Sequence, residues 1–266
     1  MLITPANADF VPYPLPRQGS AHIKILAEGE IAPEERFTLR VLRLKGFEAP
    51  RHRHVFSQVR YMMRGDFNYA PGRNILEGQV GFFPKYTYYG PELDTNCDVL
   101  LLQYGKGYLL DQQRRHAMQV LRANGGMEQR ESLALDKETT TDQPDNVARM
   151  YELIHGKPLE YGAAAYDEPV IMDPKSFPWR PLTPGVDVRS LGVLGTDAVE
   201  IKFLRFESGA STQLQGSYAD MITVLSGGLR ANGEVVTSSA FSPKDEAPQL
   251  QAEGATEILV VRIPVQ

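Results

Sequence analysis

Cysteine is almost missing from this chain: its 266 residues hold one, Cys97. A single thiol excludes an internal disulfide, and with it the disulfide-stapled secreted scaffolds. That usage fits a reducing compartment, so a cytoplasmic location is expected. Apolar runs approaching the ~18 residues of a membrane span are also missing. The N-terminus, MLITPANADFVPYPLP, lacks a charged segment followed by an apolar run, so no secretory leader and no membrane partner are expected. Basic residues are in deficit, with 28 Lys and Arg against 33 Asp and Glu, and they do not cluster. A net charge of −5 argues against nucleic acid, whose binding leans on phosphate neutralisation. No Ser-His-Asp set, CxxC pair or Gly-rich phosphate loop can be found.

What is present is ordinary for a globular protein, with 42% hydrophobic and 23% charged residues. The length allows one large or two medium domains with a sizeable core. Four prolines in the first twenty residues (Pro5, Pro12, Pro14, Pro16) predict an extended arm. Further on, Phe37, Leu39 and Val41 alternate with Thr38, Arg40 and Leu42, which is strand-like. A hairpin through Pro71-Gly72 follows, and CDVLLLQYG, 97–105, suits a buried strand. At Gly107 the period changes. Leu109, Leu110, Gln113, Ala117, Val120 and Leu121 fall at helical spacing before Asn124-Gly125-Gly126, and NVARMYELIHGKP predicts a second helix ending at Gly156. His116 and His155 lie on these helices and read as surface or packing residues. From Tyr166 strands return. The expected class is all-β, as 1–106, a helical linker 107–165 and 166–266, packed closely together.

One stretch stands out, GFEAPRHRHVFSQVRYMMRG, Gly46 to Gly65. Read as a strand entered from a loop, it gives His52, His54 and Gln58 the same parity and hence the same face. Two imidazoles so spaced can hold one transition metal, and the Gln58 amide oxygen could be a third ligand or bond a water or substrate instead. Taken alone, His52 and His54 read sooner as surface residues of a basic loop, since Arg51 and Arg53 interleave with them on the opposite parity; both glycines and Gln58 in frame turn the reading to metal. Arg60 and Met62 continue the parity of Gln58. A buried arginine needs an anion, so Arg60 holds either a substrate oxygen or a structural carboxylate.

The spacing of Gly46, His52, His54, Gln58 and Gly65 resembles the first motif of the cupin superfamily, with Gln58 where Glu is usual. Gly78 and Pro84 match the second motif, but Tyr86 stands at its glycine and Tyr89 at its histidine. The second half repeats the frame: Gly209 to Gly228 has the same 19-residue interval, with Gln215, Ser217 and Met221 at the ligand positions. Pro243 and Pro248 fall near the second motif, and Pro178-Trp179 before Pro184-Gly185-Val186 resembles cupin domains of the ChrR type. The resemblance implies a bicupin of two double-stranded β-helix (jelly-roll) barrels joined by a short helical insert, the second without metal ligands. It also implies a divalent transition metal on His52, His54, Gln58 and Tyr89, with Fe(II) or Mn(II) favoured and Ni(II) or Zn(II) possible. Arg60 and Tyr88 are the expected catalytic pair, with Tyr86 as another wall candidate, and the partner is a small-molecule substrate. A homodimer stays open. Three functions follow: a dioxygenase-like oxidoreductase for an enol, hydroxy-ketone or phenolic substrate; a metal-assisted isomerase, lyase or hydrolase; and a non-catalytic ligand-binding protein.

Overall fold

In the computed structural model, residues 9–13, 19–125, 146–215, 217–244 and 246–265 are described. The first half contains β1 (Val11–Pro12), β2 (Ser20–Ala32), β3 (Glu35–Ala49), β4 (Ser57–Ala70), β5 (Arg73–Leu76), β6 (Val80–Phe83) and β7 (Glu92–Lys106). Two helices follow, α1 (Asp111–Ala123) and α2 (Asn146–His155). The remaining strands are β8 (Val170–Met172), β9 (Arg180–Thr183), β10 (Val186–Leu194), β11 (Val199–Phe206), β12 (Ser211–Gln213) and β13 (Tyr218–Ser226). They continue with β14 (Leu229–Ala231), β15 (Glu234–Val236), β16 (Ser239–Ser242), β17 (Gln249–Ala252) and β18 (Thr256–Pro264). Neither helix is long and apolar enough to cross a membrane.

The hydrogen bonding builds three sheets. The first runs β1-β2-β3-β7-β4-β6-β8, with β5 paired to β4 across the Pro71-Gly72 hairpin. The second runs β16-β13-β18-β11-β10-β9, and the third β12-β17-β14-β15. Read from the other end, the second sheet repeats the spatial order of the first: β9 to β1, β10 to β2, β11 to β3, β18 to β7, β13 to β4, β16 to β6. None of the three closes on itself, so a closed barrel is not what the ladders form. β8 lies in the segment assigned by sequence to the second half, yet it hydrogen-bonds the edge of β6 (Val80↔Met172, Phe82↔Val170). Of the proline-rich arm, Pro5, Pro14 and Pro16 lie outside the described residues. Pro12 sits in the edge strand β1, where a missing N–H donor is harmless.

Packing explains why the central strands are so long and apolar. Phe37, Leu39, Val59, Leu100 and Leu102 on one face of the first sheet meet Ile201, Phe203, Met221, Leu259 and Val261 of the second. The opposite face of the first sheet carries Ile23, Leu44, Met62, Phe83 and Val99 and is covered by Ala117 and Met118 of α1 and Met150 of α2. Strands buried on both sides read as near-continuous apolar runs, as Leu100-Leu101-Leu102 does. A third core fills the space between the second and third sheets, with Leu204, Ile222, Leu229, Leu250 and Ile258. A loop of the second half also grips the first: Asp197 accepts from Ser57 Oγ at 2.7 Å and pairs with Lys85 Nζ at 2.6 Å.

Cys97 lies in the helix-covered core at 2% exposure, and burial pushes its thiol up to about 12. At pH 8 the thiolate fraction is then roughly 10³-fold below that of a free cysteine. Native protein should therefore resist a thiol reagent that labels urea-unfolded protein within minutes. Equal labelling rates would place Cys97 elsewhere.

Candidate metal centre

The strand expected from His52 starts later, at Ser57. His52 and His54 lie in the preceding loop, held by a short antiparallel contact with the loop before β7. His52 N donates to Tyr89 O at 2.9 Å, Tyr89 N to His52 O at 3.0 Å, and Tyr86 N to His54 O at 2.6 Å. The glycines framing the stretch serve the backbone. Gly46 and Gly65 have φ of +57° and +76°, and a Cβ on Gly65 would lie 2.3 Å from Asn96 O. Tyr86 adopts φ +70° at the position where the motif resembled has glycine, a left-handed conformation that costs a non-glycine residue roughly 1–3 kcal/mol. Its ring packs against the cluster of Val55, Phe56 and Tyr108.

The side chains converge on the phenol of Tyr89. His52 Nε2 lies 2.9 Å from Tyr89 Oη, Gln58 Nε2 donates to it at 3.1 Å, and an Arg60 terminal nitrogen donates at 3.0 Å. His52 Nδ1 lies 2.7 Å from Pro50 O, which fixes the tautomer: Nδ1 carries the proton and Nε2 faces Tyr89 with its lone pair. The ring of His54 stands edge-on to His52 with centroids 5.0 Å apart and stacks on Phe56. Arg60 also donates twice to Gln58 Oε1, at 3.2 and 3.0 Å, and its guanidinium lies 4.2–4.9 Å from the ring centroids of Phe67, Phe83 and Tyr89. Its counter-charge is Glu92, at 3.5 Å, in a pair whose side chains are 7% and 3% exposed.

Thus His52, Gln58, Arg60 and Tyr89 form one network, with His54 against its edge. Tyr88 is not drawn into it. Strand-like alternation turns its ring away from that of Tyr89, and it packs beneath the guanidinium groups of Arg51 and Arg53, at 5.1 and 4.8 Å. His116 and His155 are exposed on their helices. Glu92 escaped the sequence reading, although a buried Arg60 called for a carboxylate, and the Glu after Gly90-Pro91 was available to supply it.

In the second half the ligand frame falls differently. Met221 faces the core between the two sheets, and Gln215 and Ser217 are exposed. The residue equivalent to Gln58 by pairing is Asp220. Gln58 opposes Gln103 and Phe83, and Asp220 opposes Arg262 and Ser242 on the corresponding strands. The pairing Thr212↔Leu250 takes the place of the His52↔Tyr89 bridge. Asp220 is spoken for: Arg262 Nε donates to it at 2.6 Å, and both are buried.

His52, the Tyr89 phenol and the Gln58 carboxamide meet at one point, with the His54 ring 5.0 Å from that of His52; side chains of these types suit a divalent transition metal. Among the described residues no group of three or more His, Cys, Asp or Glu side chains assembles, so further ligands here would be oxygens of Tyr89 and Gln58.

No protein-family model and no curated protein matches the sequence. Solved structures do. A candidate dioxygenase from Nostoc punctiforme superposes with a TM-score of 0.60 at 12% identity, over 100% of this chain and 83% of that one. A candidate glyoxylate-induced protein from Pseudomonas aeruginosa gives 0.57 at 12% identity, over 96% and 84%. Oxalate decarboxylase from Bacillus subtilis gives 0.53 at 14% identity, over 99% and 76%. These are cupin-fold proteins, and the likeness shows that fold, mostly β, across nearly the whole of this chain.

Proposed function

We propose that this chain is a bicupin, two double-stranded β-helix units with a helical insert between them, and a metal-dependent oxidoreductase of dioxygenase type. Its substrate would be a small oxygenated molecule such as an enol, hydroxy-ketone or phenol. The observation that carries the reading is the convergence of His52, Gln58 and Arg60 on Tyr89 Oη. A divalent ion held by His52 and His54, with Tyr89 and Gln58 completing the set, would supply Lewis acidity and, if redox-active, electron exchange with O₂.

The chain's own groups prepare that site. Pro50 O keeps the lone pair of His52 Nε2 pointed inward. Arg60 holds Gln58 Oε1 and Tyr89 Oη in place, and Glu92 balances its charge, so the buried pair adds no net charge to the centre. Phe67 and Phe83 around the guanidinium exclude water and strengthen each polar contact inside. An anionic, bidentate substrate suits a centre whose protein ligands are mostly neutral. A second reading, a redox-neutral metal-assisted lyase, is favoured by the decarboxylase among the structural neighbours.

The test is anaerobic reconstitution with Fe(II), Mn(II), Ni(II) and Zn(II), then O₂ uptake over β-diketones, hydroxyacetophenones, catechols and flavonols. We expect one equivalent of metal, O₂ consumption only with redox-active ions, and loss of both in His52→Ala with His54→Ala. A full equivalent of metal in the double variant would refute the ligand assignment. Turnover with Zn(II) in the absence of O₂ would move the protein to the lyase reading.

A further inference from the structure

Two faces of β3 are buried, and one of them carries an arginine. Phe37 and Leu39 point into the core between the sheets, while Leu44 belongs to the helix-covered core. Thr38 and Arg40 share the parity of Leu44, and Arg40 is only 4% exposed. One terminal nitrogen of its guanidinium donates to Gln103 Oε1. Its Nε and other terminal nitrogen meet no acceptor among the described residues, and Arg40 forms no ion pair with them. The same holds for the hydroxyls of Thr38 and Tyr13, both buried in this region.

The surroundings add positive charge. The guanidinium groups of Arg40, Arg114 and Arg115 lie 5.8, 5.5 and 5.7 Å from the centroid of the Tyr13 ring. Asp111 pairs with Arg115 Nε at 2.5 Å, and its charge also acts on Arg114. Beside them the Tyr108 hydroxyl lies 3.4 Å from Gln103 Oε1. A buried cation with open donors and no counter-charge is costly unless an anion meets it. A guanidinium fork meets a carboxylate or a phosphate through two parallel N–H···O bonds.

The inner face also links this region to the metal centre. Gln103 directly opposes Gln58, and Arg40 opposes Leu101, which opposes Arg60. Arg40 is thus two strands from Arg60, about 10 Å between backbones, well within the reach of two long side chains across one small molecule.

We propose that Arg40 anchors a carboxylate subsite on the inner face of the first sheet, supported by Arg114 and the hydroxyls of Tyr13 and Thr38. The substrate would be a small organic acid, its carboxylate at Arg40 and its oxygenated end at Tyr89. This rests on the reading of the first interior as a small-molecule site, but its test needs no metal and no turnover. Malonate and inorganic phosphate are titrated calorimetrically into metal-free full-length protein, with thermal melts alongside. Malonate should bind the wild type and raise its melting temperature. Arg40→Gln should weaken binding tenfold or more, and Arg40→Lys should keep part of it. Arg40→Met, which removes an uncompensated buried charge, should melt no lower than wild type without ligand and lose the malonate shift.

Malonate binding that is equal in Arg40→Gln, or missing from the wild type, would overturn the subsite. So would phosphate binding as tightly as malonate, which would make it an inorganic-anion site. An Arg40→Met variant that melts far below wild type would make Arg40 a structural core residue. Binding lost in His52→Ala but kept in Arg40→Gln would put the anion at the metal centre and leave the proposed function standing.

Discussion

A chain ending at residue 165 is expected not to fold, although it contains the whole candidate metal centre. Among the described residues, half of the 22 buried in the core between the sheets belong to the second half of the chain, and their removal would bare Phe37, Leu39, Val59, Phe82 and Leu102. Re-exposing such side chains costs roughly 1.5–3 kcal/mol each. Eleven of them exceed the ~5–15 kcal/mol that separates a folded domain from its unfolded chain. The cut also removes β8 and so strips β6 of its outer neighbour, leaving an open edge prone to aggregation. Circular dichroism and amide dispersion in NMR would decide. A soluble, cooperatively melting 1–165 fragment would mean that the first half is self-sufficient.

Asp220→Ala should be the most damaging single substitution in the second half. Asp220 is fully buried, Arg262 is 5% exposed, and the guanidinium also donates to Gln215 O and stacks on Tyr218 at 4.2 Å. Removing the carboxylate leaves that cation without its closest partner, and Glu200 at 3.5 Å is a poor substitute. Breaking a buried pair on one side costs about 3–5 kcal/mol, whereas replacing both partners by apolar residues is often neutral. Urea unfolding should therefore show a large loss for Asp220→Ala and substantial recovery in the double variant Asp220→Leu, Arg262→Met. A loss below about 1 kcal/mol, the range of a surface pair, would show that the ion pair is idle.

Much of this arrangement could be read in advance, and the exceptions have definite causes. Gly46, Gly65, His52, His54 and Gln58 were visible because backbone sterics and ligand chemistry restrict residue type at fixed intervals. The two helices announced themselves by period and by their glycine ends. Arg40 was hidden by its own strand. Alternation of Leu39 and Val41 with Arg40 ordinarily means that one face meets water, but α1 and the second sheet cover both faces here. Glu92 is invisible for a similar reason: its partner is 32 residues away and on another strand. The repeated 19-residue interval pointed to Met221 rather than Asp220 because Gln58 stands 12 positions after Gly46, whereas Asp220 stands 11 after Gly209. Only strand pairing, not counting, sets that register.

The first and second sheets meet face to face, with the helix-covered core behind the first and the third core behind the second. Successive residues of one strand serve different masters: Tyr61 lies against Phe203 of the second sheet, while Arg60 and Met62 face the helix-covered side of the first. Mutational drift in one interior is therefore shielded from the other by two layers of sheet and an apolar filling. The strand order repeated in the two sheets thus carries His52 and His54 in one half and Thr212 and Leu214 in the other. The surviving wall keeps selecting for shape, and the chemistry of each half is left to its own history.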